Sequence, residues 1–121
     1  MRVADAAFPG MKDVKDFEMH EEWYSLKNFA PDLHVILVQD TKGMKDMDYD
    51  RPNFPATWAR KHGKGRVFYT SMGHREDVWQ SEVFQHLLLG ALLWSLGEGN
   101  PDLTPNLDKV APKASELPKV K

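Results

Sequence analysis

The chain has 121 residues, 41% of them hydrophobic and 28% charged, the composition of a globular domain rather than of a disordered, fibrous or membrane-spanning chain. Sixteen basic against eighteen acidic residues leave a formal charge of -2, which excludes the basic footprint of a nucleic-acid or anionic-membrane partner. The absence of cysteine excludes a disulfide scaffold, a thiolate zinc site and a cysteine nucleophile within these residues.

Met1 to Asp5 carries no apolar segment of the kind that opens a secretory leader. The longest apolar run, Leu87 to Trp94, falls far short of the ~20 residues that span a bilayer. Phe17-Glu18-Met19-His20 alternates as a short strand does, and Glu21 to Phe29 suits a helical turn that stops before Pro31. Leu33 to Val38 is apolar at nearly every position, the mark of a strand covered on both faces, as in a sheet between two helical layers. Asp40 to Pro55 follows as a polar loop holding Gly43 and four aspartates, longer than a mere connector requires.

Ala56 to Arg60 and Arg66 to Thr70 read as two strands of an antiparallel hairpin, with Gly63 and Gly65 in the turn between them. Ser81 is placed to cap a helix from Glu82 to Leu96 that ends at Gly97. Val83, Phe84, Leu87, Leu88, Ala91 and Leu92 would form its core face, widened by Leu89, Leu93 and Trp94. A helix so apolar is expected to be covered over most of its girth. Residues 98–121 hold four of the eight prolines and are expected to run as an extended strap over the surface or to stay mobile.

The chemistry-bearing corner is Thr70-Ser71-Met72-Gly73-His74-Arg75-Glu76-Asp77, where a strand runs out into a glycine and then into four ionisable residues. Ligands bind at such strand ends in α/β sheets. His74 could serve as general acid or base, or as a metal ligand, and Glu76 could orient its ring. The alternative is a loop histidine among solvated charges. His20-Glu21-Glu22 sets an imidazole beside two carboxylates, which suits a divalent ion; the alternative is a pair of acids at a helix start. The candidate metal ligands are therefore His74, His20 and Glu22. No second ligand at diagnostic spacing accompanies His20, and no other cofactor is indicated.

Trp23, Tyr24, Tyr49, Trp58 and Trp79 lie in or beside loops, where aromatic faces could stack on sugar rings while Asp46, Asp48, Asp50 and Arg51 bond to hydroxyls; Arg75 is a further candidate binding residue. The alternative, an edge of the core, suits each of them better taken singly, since large aromatics mostly bury. Gly63-Lys64-Gly65 precedes a strand, the wrong context for a nucleotide loop, and Ser71 lacks the glycine-flanked pattern of a nucleophile elbow.

Pro55 to His74, with its Gly63-Lys64-Gly65-Arg66-Val67-Phe68-Tyr69 run closing on Gly73-His74, together with Gly90-Ala91-Leu92-Leu93-Trp94, resembles the trehalose-utilisation (ThuA-like) family. Glu22-Trp23-Tyr24 resembles that family's acid-x-Tyr segment. The resemblance covers residues 1–97. It implies a flavodoxin-like, class I glutamine amidotransferase-like α/β fold of three layers, ending in a hairpin and a buried helix. It also implies a carbohydrate substrate such as a disaccharide or keto-sugar, processed near His74, with Glu76 at the spacing of the amidotransferase His-x-Glu pair. Glutaminase activity is not expected, since the amidotransferase cysteine has no counterpart here. Family members are about twice as long, so the chain corresponds to a C-terminal half. One helical layer and one strand neighbour would then be missing, to be supplied by a preceding half or by a second copy. A non-catalytic sugar-binding or scaffolding module, or a metal-binding α/β domain, is the alternative function.

Overall fold

The computed structural model describes residues 1–119. Four strands form one sheet in the order β1 (Arg2–Val3), β2 (His34–Gln39), β3 (Phe54–His62), β4 (Gly65–Thr70), with every neighbouring pair antiparallel. The hairpin of β3 and β4 forms as its glycines predict, closing on the pair His62 and Gly65. All six residues of β2 are buried, in keeping with its apolar character on both faces.

One face of the sheet meets α1 (Glu82–Ser95), whose N-cap Ser81 accepts the Phe84 amide. Phe84, Leu87, Ala91 and Trp94 pack there with Phe8, Met11, Ile36, Leu37 and Ala59. The buried stripe is narrower than the sequence suggests. Leu89, Leu92, Leu93 and Leu96 stay exposed on the far side of α1, because the described residues place only one layer against this helix. Gly90 makes close packing possible at its centre: a Cβ there would stand 2.2 Å from the Pro9 carbonyl oxygen. The loop at Pro9-Gly10 therefore lies directly on the helix backbone.

The opposite face carries Leu33, Val35, Val38 and Phe54. Its cover is the chain's own tail, through Ala111 and Ala114, with α2 (Leu107–Val110) and the segment around Leu26 and Phe29 alongside. The tail is thus a strap rather than a mobile end, and it occupies the layer that the sequence reading leaves empty. Asn106 fastens it. Its side-chain oxygen accepts the Val35 amide at 2.6 Å and its NH2 donates to the Val35 carbonyl at 3.0 Å. The β2–β3 register slips between Val35 and Leu37, and a bulge of this kind leaves backbone groups in need of other partners. His34 adds a second tie, one ring nitrogen 2.8 Å from the Thr104 carbonyl and the other 2.8 Å from Asp5 Oδ2. Arg51, buried, donates to the carbonyls of Leu26 and Ala114, both at 2.6 Å.

Residues 17–29 form neither the short strand nor the helical turn expected of them; they run as irregular backbone. Phe17 exchanges two backbone bonds with Met1 at 3.1 and 2.7 Å; beyond it the stretch is held by side-chain anchors, and those lead to the candidate site.

Candidate functional site

The corner after β4 turns at Gly73, whose φ of +114° is open to glycine and strained for other residues. The turn directs three successive amides inward. Gly73 and His74 donate to Glu21 Oε2 at 2.7 and 3.1 Å, and Arg75 donates to Glu21 Oε1 at 3.0 Å. The Glu22 amide adds a fourth bond to Oε1 at 2.9 Å. Burial alone would raise the Glu21 pKa, but the four amides outweigh it and hold the carboxyl below its ordinary value.

With the two segments joined in this way, His74 Nε2 lies 2.7 Å from Glu22 Oε2. Both side chains are more than half exposed, at 52% and 61%, so the pair adds little to stability and is open to a ligand. An ionised carboxylate only accepts, so in this bond Nε2 is the donor and Nδ1 is the other ring nitrogen. An imidazole oriented by a carboxylate in this manner can take up or deliver a proton.

Of the residues singled out from sequence, His74 and Glu22 are therefore brought together. Glu76 is exposed at the first position of a 3-10 turn, Glu76–Gln80, and makes none of the described hydrogen bonds to His74. Arg75 is taken up by Asp77, which it grips through two bonds of 2.9 and 3.1 Å. That grip raises the arginine's pKa and lowers the aspartate's. His20 is exposed and does not join the pair: among the described residues no three His, Cys, Asp or Glu side chains converge as a metal cage would require.

The aromatic residues divide. Trp58 stacks on Tyr69 at 4.2 Å between ring centres and meets Phe29 edge-on. Trp23 packs against the α1-side core, and its carbonyl accepts the Tyr49 hydroxyl. Burial, then Asp46, Asp48 and Glu22, raise the Tyr49 pKa. Tyr24 and Trp79 remain about half exposed. Trp79 is held in place by its indole N–H on the Gly73 carbonyl at 2.9 Å and by an edge-to-face contact with Phe84.

The model of the ThuA family, described as trehalose utilisation, matches residues 1–95. The chain belongs to that family. The ThuA domain has a class I glutamine amidotransferase-like fold, and its family description suggests a role in trehalose utilisation. No curated protein and no solved structure matches the chain. Within the ThuA domain, the residue that sequence reasoning missed is Glu21. Its adjacency to Glu22 was visible, but its partners lie 52 to 54 positions away, beyond any spacing rule.

Proposed function

We propose that this ThuA domain handles a carbohydrate, a disaccharide or keto-sugar, at the corner built by Glu22 and His74. The observation that supports it is the His74–Glu22 pair at 2.7 Å, open to solvent, in the same two segments as the exposed rings of Tyr24 and Trp79. In this reading His74 acts as acid or base through Nδ1 and Glu22 orients it. Glu76, at the same depression as His74, Arg75, Asp77 and Gln80, is a second carboxylate within reach of a bound hydroxyl. Tyr24 and Trp79 offer the apolar faces on which a sugar ring stacks.

Calorimetric titration with trehalose and a panel of related disaccharides and keto-sugars tests the reading. His74→Ala is expected to slow turnover by about a hundredfold or more, the range for loss of one positioned acid-base group, and Glu22→Gln to slow it in the same direction; in a binding module both would weaken sugar binding instead. Unchanged binding and turnover in His74→Ala would remove the assignment. Loss of turnover without loss of binding would mark catalysis, and sugar binding with no turnover in the parent protein would favour a binding module.

A further inference from the structure

The corner places the backbone amides of both members of the His74–Glu22 pair on one buried carboxylate. Glu22 donates to Glu21 Oε1 and His74 to Glu21 Oε2. Gly73 and Arg75 complete the set. Successive amides that converge in this way form a nest for an anion, and here the chain fills it with its own side chain, 7% exposed. Residues 17–29 contain no helix or strand, so no ladder sets the position of Glu22. Besides the His74–Glu22 pair itself, the hydrogen bonds described from that stretch to the corner at residues 73–75 are those of Glu21.

We infer that Glu21 is a positioning residue: its carboxylate seats the Gly73–Arg75 backbone against the Glu21-Glu22 segment so that the His74 ring meets Glu22. It rests on reading His74 and Glu22 as the reactive pair. The dependence runs one way. The clamp is buried and satisfied without the pair, whereas the pair is exposed, and among the described residues no other hydrogen bond joins its two segments directly.

Glu21→Gln keeps the shape but replaces one acceptor oxygen by an NH2 that faces amide donors, so at least one amide loses its partner. Nuclear magnetic resonance on the labelled full chain reads the outcome without any sugar. In Glu21→Gln, cross-relaxation between the His74 ring and the Glu22 side chain is expected to fall at least about threefold. The Gly73, His74 and Arg75 amides should exchange at least about tenfold faster, the equivalent of one charge-assisted bond lost. Ring-current shifts from the Trp58–Tyr69 stack serve as the check that the fold persists. Glu22→Gln, at an exposed position, provides the second arm: amide protection at residues 73–75 should stay within about twofold of the parent.

Retention of the His74–Glu22 contact in folded Glu21→Gln overturns the inference. Equal loosening of the amides in Glu22→Gln overturns it too, because the pair would then be holding the corner. A sugar titration indifferent to His74 would remove the functional reading while leaving the positioning result intact.

Discussion

Glu21 makes the corner sensitive to acid. Its carboxyl titrates below the ordinary value of 4.5, so its contribution to stability is complete above that value and is lost as the pH falls through the lower, folded-state value. The midpoint of urea unfolding should therefore drop more steeply in the parent than in Glu21→Gln as the pH falls below the ordinary carboxyl value of 4.5. At pH 7 that substitution should cost about 1.5–3 kcal/mol, the range for a hydrogen bond to a charged group. Equal pH dependence of the two proteins would show that other carboxylates dominate. At this scale His74 was legible, because a histidine after a strand-ending glycine stands out. Its partner was misplaced onto the near neighbour Glu76, since spacing along one segment cannot reveal a carboxylate arriving from another.

Among the elements, α1 and the β3–β4 hairpin follow their local signals closely. A capping serine, an apolar repeat and a glycine-bearing turn are short-range devices that act before any tertiary contact forms. Residues 17–29 did not follow theirs. A few alternating residues and a helix-compatible run carry too little free energy to form alone, and the anchors of Glu21 and Tyr49 took precedence. Gly90 illustrates a constraint that arises between elements. Gly90→Ala would drive a methyl group to 2.2 Å from the Pro9 carbonyl oxygen and 2.6 Å from the Gly10 nitrogen. Alanine favours the helix intrinsically, yet overpacking against backbone should dominate and destabilise by about 1–3 kcal/mol. A raised melting temperature for this variant would contradict the packing argument.

Over the whole molecule, the sheet has a layer on each face, but only one is a helix of any length. The other is largely the tail, tied by Asn106, His34 and Arg51. Removing residues 98–121 would uncover Leu33, Val35, Val38 and Phe54, now buried beneath it. Each such side chain is worth about 1.5–3 kcal/mol of burial, against a total stability of about 5–15 kcal/mol for an ordinary domain. The truncated chain should lose its cooperative melt and its near-ultraviolet dichroism. A melting temperature within a few degrees of the parent would mean that the strap adds no layer. The tail lies beyond the residues that match the ThuA family, 1–95, so family resemblance gave no hint of this role, and its proline-rich composition pointed equally to a strap and to a mobile end.

The sequence by itself determined the family, the hairpin, the capped helix, the buried strand and the turn at Gly73 that carries His74. Each of these is written in contiguous residues, where propensity, capping and hydrophobic period act locally. Only the tertiary structure decided that Glu22 is the partner of His74, that Glu21 closes the amide nest and that the tail forms the second layer. Those outcomes join segments about 50 to 70 positions apart, and such pairings are chosen by which buried polar groups and apolar faces can satisfy one another in the folded chain.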